Sequence, residues 1–130
     1  MKTCLLVDDS AVIRKVAERI LGRLDLAVVS AEDGAQALMA CQSTLPDVAI
    51  VDSLMAEVDG YEVVRALRRM PDGGRVKVIM TVVESDVATV ARILHAGADT
   101  YLMKPFTLQL VREKLQEVGM LAPEAVEAAA

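Results

Sequence analysis

Four charged side chains in this sequence have the types and positions needed to handle a phosphoryl group. Asp8 and Asp9 follow one short apolar run, Asp52 ends another, and Lys104 follows a third. Mg²⁺ prefers oxygen ligands such as carboxylates, and a fixed lysine favours the ionised form of a neighbouring acid. A carboxylate activated in this way can attack a phosphoryl donor. The residues therefore predict a Mg²⁺ site in which Asp52 is the nucleophile.

The elements that must position these residues alternate regularly along the chain. Short apolar runs typical of buried strands cover residues 4–7, 27–31, 48–51, 76–82 and 100–103. Helical periodicity follows each of them, and the clearest helices are predicted at about 13–24, 35–43, 61–70, 86–97 and 108–118. Strict alternation of this kind indicates an α/β fold, a doubly wound five-stranded parallel sheet with helices on both faces. Such sheets bind ligands at the carboxyl ends of their strands, where all four charged residues fall.

Length and composition exclude several classes of protein. At 130 residues the chain is long enough for one domain, which we place at residues 1–121, followed by an Ala/Glu-rich tail at 122–130 that we expect to fray. A net charge of −5, with one Phe and no Trp, argues against DNA or RNA binding. Charges interrupt every apolar stretch before the roughly 18 residues of a membrane span. With no signal-peptide pattern at its start, the chain is expected to be cytoplasmic.

Several short motifs surround the charged residues. They are Leu6-Val7-Asp8-Asp9-Ser10, Ala31-Glu32-Asp33-Gly34, Pro46-Asp47, Val51-Asp52, Met55, Asp59-Gly60, Ala96-Gly97-Ala98-Asp99 and Lys104-Pro105-Phe106. Together they resemble response-regulator receiver domains, and more narrowly the stand-alone CheY-like ones, over about residues 2–119. The resemblance implies a flavodoxin-like sheet with strand order 2-1-3-4-5.

The resemblance also implies a role for each site residue. Asp52 would accept the phosphoryl group from a histidine kinase or a phosphotransfer protein. Asp9, Asp52 and the backbone carbonyl of Leu54 would ligate Mg²⁺ directly, and Asp8 would act largely through water. Lys104 would contact the phosphoryl oxygens, and the Lys104-Pro105 bond is a candidate for a cis peptide. The chain would then be a phosphoacceptor that signals by binding a downstream protein target, with at most slow self-dephosphorylation rather than enzyme activity.

One position departs from the family pattern. Receiver domains carry a Thr or Ser at the end of the fourth strand, and counting back from Lys104 places Val82 there and Thr81 one residue early. Side chains alternate faces along a strand, so only a bulge would bring Thr81 to the expected position. Tyr101 matches an aromatic position whose rotamer often reports activation. Its simpler interpretation is an amphipathic side chain covering the sheet edge.

Two functions therefore remain open. The first is a single-domain regulator of a two-component phosphorelay. The second is a pseudo-receiver, a docking module that acts independently of phosphorylation because Val82 lacks the hydroxyl. A phosphohydrolase is disfavoured because Leu54 stands where such enzymes place a second acid. The basic residues Arg65, Arg68, Arg69 and Arg75 are either a solvated face or, less favoured, a site for an anionic nucleotide messenger.

Overall fold

The computed structural model describes residues 1–123 and has three layers, a central sheet with helices on both faces. The strands are β1 (Thr3–Val7), β2 (Ala27–Ala31), β3 (Val48–Asp52), β4 (Lys77–Val82) and β5 (Thr100–Met103). They are parallel and hydrogen-bonded in the order β2-β1-β3-β4-β5. The predicted fold class and strand order are confirmed. The proposed tail falls outside the described residues from position 124 onward and stays a prediction.

Five helices connect and flank these strands, each close to its predicted range. They are α1 (Ala11–Arg23), α2 (Gly34–Ser43), α3 (Gly60–Arg69), α4 (Val87–Ala96) and α5 (Leu108–Glu117). Before each helix a short polar side chain accepts a hydrogen bond from a backbone N–H of the first turn. These caps are Ser10, Asp33, Asp59, Asp86 and Thr107. Within residues 1–123, no helix is long and apolar enough to cross a bilayer.

The sheet divides the core into two apolar clusters because strand side chains alternate faces. One cluster joins the sheet to α2, α3 and α4 and includes Met80 and Val82 of β4. The other joins the sheet to α1 and α5 and includes Ile79 of β4 and Leu102 of β5. β3 lies at the centre and all five of its residues are buried. We call these two sides of the sheet the α3/α4 face and the α1/α5 face.

β4 runs without a bulge to its last residue. It pairs continuously with β3 from Lys77 to Thr81 and with β5 from Ile79 to Val82. Thr81 and Val82 therefore occupy opposite faces of the sheet, as the sequence register required. The shift that a bulge would have produced is excluded for this strand.

Arg68, near the end of α3, connects this helix to the α3–β4 and α4–β5 connections at the opposite end of the sheet. Its guanidinium donates to the backbone carbonyls of Gly97 at 2.8 Å, Gly73 at 2.8 Å and Val76 at 2.6 Å. It also pairs at 3.1 Å with Asp99, whose carboxylate accepts from the N–H of Val78 at 2.8 Å. Its planar set of donors suits several acceptors at once. Arg68 is therefore a structural residue. Of the four arginines considered as a site for an anionic ligand, this one already donates its hydrogen bonds within the protein.

Replacing Arg68 with Ala should destabilise the domain strongly. The change leaves carbonyls and Asp99 without their charged donor, and hydrogen bonds to charged groups contribute about 1.5 to 3 kcal/mol each. We expect the free energy of unfolding to fall by about 2 to 3 kcal/mol in urea titrations, since water will replace part of the lost bonding. Arg65→Ala, an exposed position on the same helix, is the matched control and should change stability little. Equal stability of the two variants would contradict this role.

Candidate functional site

The carboxyl ends of β1, β3 and β5 bring Asp8, Asp52 and Lys104 together. Asp8 follows β1, Asp52 ends β3, and Lys104 follows β5, so parallel pairing places all three at one edge of the sheet. The Lys104 ammonium lies 2.8 Å from Oδ2 of Asp8 and 3.2 Å from Oδ1 of Asp52. The backbone N–H of Lys104 also donates to the backbone carbonyl of Val82 at 2.8 Å, which fixes the start of the loop after β5. One cation thus bridges two acids that are distant in sequence.

The three acids form a compact group. Asp8, Asp9 and Asp52 each offer a carboxylate oxygen, and these oxygens lie within 4.8 Å of one another. Asp8 and Asp52 are 2% and 6% exposed, whereas Asp9 is open to solvent. A cavity of about 240 Å³ opens beside Asp9. Hard oxygen donors with one side open to water suit Mg²⁺, which keeps several of its waters, so the residues present fit this ion.

Burial and the ion pairs with Lys104 shift the pKa values of Asp52 and Lys104 in opposite directions. Burial, followed by the charge of Asp8, raises the pKa of Asp52, while Lys104 partly opposes this shift. For Lys104, burial alone would lower the pKa, but the hydrogen bond to Asp8 and the charge of Asp52 outweigh it. The pKa of Lys104 is therefore raised. The lysine remains a cation at neutral pH, and the acid cluster carries repulsion that a further cation would relieve.

The loop after β1 holds Asp8 from both its side chain and its backbone. The N–H of Ser10 donates to Oδ1 of Asp8 at 2.9 Å, and Arg14 of α1 donates to the backbone carbonyl of Asp8 at 2.7 Å. In the sequence, Arg14 lies among other cationic residues of α1, including Lys15 and Arg19. No sequence signal distinguished it from its neighbours, because the contact depends on how α1 packs against the site.

The loop after β3 is held close to Asp52 by a glycine. A Cβ at Gly60 would lie 2.0 Å from the backbone oxygen of Asp52, so the start of α3 can approach β3 only with glycine there. The N–H of Gly60 also donates to the carbonyl of Ser53 at 3.2 Å. Within this loop, the backbone N–H of Leu54 donates to Oδ1 of Asp52 at 3.3 Å. The side chain of Leu54 is 65% exposed. The sequence contained the Asp59-Gly60 motif but not this steric reason for it.

Thr81 and Val82, the last two residues of β4, lie on opposite faces of the sheet. Val82 is buried on the α3/α4 face, in the cluster against which Tyr101 and Met103 pack. Thr81 is in register with Asp52 and belongs to the opposite face. Its hydroxyl has no hydrogen-bond partner among the residues described. In this structure neither residue donates a hydrogen bond to the acid cluster.

Two other predicted residues can be placed. The Tyr101 ring is half-buried, and the Lys114 ammonium lies 5.0 Å from the ring centroid. The ring packs against the α3/α4 cluster. The Lys104-Pro105 peptide bond is cis.

Comparisons with known proteins agree with this geometry. A family model described as "Response regulator receiver domain" matches residues 4–116. A chemotaxis protein CheY homologue from Campylobacter jejuni is 35% identical over 116 residues, covering 88% of this chain and 89% of the homologue. A probable transcriptional regulator, ycf27, from Guillardia theta is 39% identical over 114 residues, covering 88% of this chain and 44% of that protein. The chain thus spans about half the length of the first curated relatives that it matches.

Among solved structures, the receiver domain of sensor histidine kinase PA1611 from Pseudomonas aeruginosa is similar, with a TM-score of 0.83 and 30% identity. The match covers 91% of this chain and 98% of that one, and that structure holds a magnesium ion in its active-site cleft. Receiver domains are phosphoacceptor domains of two-component signalling. On the family match, the relatives and the shared strand-end acids, this chain belongs to the response regulator receiver domain family.

Proposed function

We propose that the chain is a phosphoacceptor in a two-component phosphorelay and that Asp52 receives the phosphoryl group. The observation that carries this proposal is the bridge from Lys104 to both Asp8 and Asp52. An oxygen of Asp52 attacks the phosphorus of a phosphohistidine, the new O–P bond forms, and the P–N bond breaks. The imidazole nitrogen keeps the bonding pair and takes a proton. Lys104 neutralises charge on the transferred group from its place beside Asp52.

Mg²⁺ is the cofactor that we assign to the acid cluster. Asp9 and Asp52, with the backbone carbonyl of Leu54, would hold it, and Asp8 would contribute through water. When bound, the ion neutralises part of the negative charge on the acids and the phosphoryl oxygens. Support comes from the three convergent carboxylate oxygens and from the open side at Asp9.

We propose α1 as the surface that meets the phosphodonor. Val12 and Val16 are exposed on this helix at 72% and 47%, and Lys15, Arg19 and Arg23 line the same groove. The helix starts directly after the acid pair, so a partner lying along it would reach Asp52. An acidic, partly apolar helical surface on a histidine kinase or phosphotransfer protein complements this groove in charge and apolar character. Output would pass by binding a downstream protein target.

A second function is favoured by one observation, the buried Val82. Its methyl groups occupy the end of β4 on the side of Tyr101 and cannot donate a hydrogen bond to a phosphoryl group. A ligand shifts a conformational equilibrium only by its different affinity for the two states. If phosphorylation creates no new contact on this face, the chain is a docking module with a phosphorylation-independent output.

Incubation with phosphoramidate and Mg²⁺ tests whether Asp52 accepts a phosphoryl group. We expect intact-protein mass to show one phosphoryl adduct on the wild-type chain and none on Asp52→Asn, because the amide lacks the nucleophilic oxygen. Omitting Mg²⁺ should reduce the rate at least tenfold, which corresponds to about 1.4 kcal/mol of transition-state stabilisation. Asp47→Asn, an exposed acid at the other end of β3, is the control and should be modified like the wild-type chain. An unmodified wild-type chain would overturn the phosphorelay proposal and leave the docking module.

The raised pKa of Asp52 makes a separate prediction about stability and pH. In the folded chain the ionised form of Asp52 is disfavoured. The contribution of Asp52 to the free energy of unfolding is therefore fully present below its ordinary pKa of 3.8, and it is lost as the pH rises through the raised pKa of the folded chain. Asp52→Asn removes this penalty. Without divalent ions at neutral pH, its Tm should exceed the wild-type Tm, because the neutral amide carries no charge into the buried site.

Thermal melts across pH check this prediction. The difference between the two chains should shrink as the pH is lowered toward 3.8. Glu113→Gln, an exposed change of the same net charge, controls for overall charge and should melt like the wild-type chain. A variant that melts below the wild-type chain at neutral pH would show that Asp52 is stabilising when ionised, contrary to its raised pKa.

A further inference from the structure

Thr81 carries a buried hydroxyl group that makes no hydrogen bond to the residues described. It is 2% exposed, and its Oγ1 is the only buried side-chain N or O atom without a hydrogen-bond partner among residues 1–123. Leaving a buried hydroxyl unpaired is unfavourable, and such a group in a folded protein needs an explanation. A valine has nearly the same shape and would fill the place without that cost. The hydroxyl therefore calls for a role that the resting structure does not show.

The strand register places this hydroxyl next to the phosphoacceptor. Thr81 is the direct partner of Asp52 on β3, and adjacent strands lie about 4.8 Å apart. The N–H of Ser53, the residue after Asp52, donates to the Thr81 carbonyl at 3.0 Å, so the two backbones are joined at this point. Because register partners in a parallel pair project from the same face, the Thr81 and Asp52 side chains lie on the same side of the sheet.

Thr81 lies on the side of the sheet opposite Tyr101. Its partner on β5 is Leu102, which packs in the α1/α5 cluster with Ile79. Lys104 lies just beyond β5 and two residues after Leu102, so the alternation of side chains along the strand places it on the same side of the sheet as Leu102. Val82, Tyr101 and the α3/α4 cluster belong to the other side. A bond made by Thr81 would therefore act on the Lys104 and α5 side of the site.

We propose that Thr81 is a positioning residue whose hydroxyl donates a hydrogen bond to the phosphorylated Asp52 from the α1/α5 face. This bond replaces the one that Val82 cannot make. It also directs the response toward the loop at Lys104–Phe106 and the start of α5, rather than toward Tyr101 and α4. The proposal rests on the proposed function, since it concerns the phosphorylated form of the same site.

The first test compares Thr81→Val with Thr81→Ser. The probe is Mg²⁺ with beryllofluoride, a tetrahedral mimic of the phosphoryl group, titrated into each chain. Thr81→Val should bind it about tenfold more weakly, as expected for one lost bond of about 1.4 kcal/mol. The same variant should have a higher Tm without ligand, because it removes an unpaired buried hydroxyl. Thr81→Ser keeps the hydroxyl and should retain most of the wild-type affinity.

These opposite changes in affinity and Tm distinguish a positioning role from a packing role. Equal affinity of Thr81→Val and the wild-type chain would overturn the proposal, as would equal weakening by Val and Ser. If the wild-type chain itself neither binds beryllofluoride nor accepts a phosphoryl group, the proposed function fails and this inference fails with it. Binding by the wild-type chain with no effect of Thr81→Val overturns the inference alone.

The direction of the response can be measured by backbone amide NMR shifts on adding beryllofluoride. Beyond the acid loops, we expect the largest changes at Lys104–Phe106 and the first turn of α5, and smaller ones around Tyr101. In Thr81→Val the changes at Lys104–Phe106 and α5 should be reduced. Changes centred on Tyr101 and α4, and unaltered in the variant, would contradict the proposed direction.

Discussion

The site depends on one cation shared by two buried acids. Asp8 and Asp52 are nearly inaccessible to solvent. Burial and the charge of Asp8 raise the pKa of Asp52, and Lys104, which pairs with both acids, partly offsets this shift. A buried charge without a partner is strongly destabilising, whereas a paired one can be tolerated. Asp9 adds a third negative charge at the open side of the cluster. The resulting excess of negative charge favours a hard cation at this position.

Much of the rest of the fold serves to maintain this arrangement. Parallel pairing places the ends of β1, β3 and β5 at one edge, and the continuous β4 between β3 and β5 fixes their spacing. Gly60 lets α3 begin against the backbone of Asp52, and Arg14 holds the backbone of Asp8. At the opposite end of the sheet, Arg68 joins α3 to the residues just before β4 and just before β5. The charged residues are thus positioned by rigid elements and short loops.

The fold could be predicted from the sequence because its signals are local and repeated. Alternating apolar runs and helical periodicity indicated five strands and five helices. The strand-end positions of Asp8, Asp52 and Lys104 indicated one shared site. Contacts that depend on three-dimensional packing could not be predicted. Arg14 and Arg68 looked like other cations on helix surfaces, yet both donate to backbone carbonyls. The unpaired hydroxyl of Thr81 was equally hidden, since pairing depends on every neighbouring element.

Lys104 balances the charge of the acid cluster in the absence of metal, and Mg²⁺ titration of Lys104→Met tests this balance most directly. Removing the lysine leaves Asp8 and Asp52 without their bridging cation, so the metal-free variant should be less stable than the wild-type chain. The same excess of negative charge should make it bind Mg²⁺ more tightly, by several-fold in calorimetric titration. Unchanged stability together with unchanged or weaker Mg²⁺ binding would show that the charge balance proposed here does not govern the site.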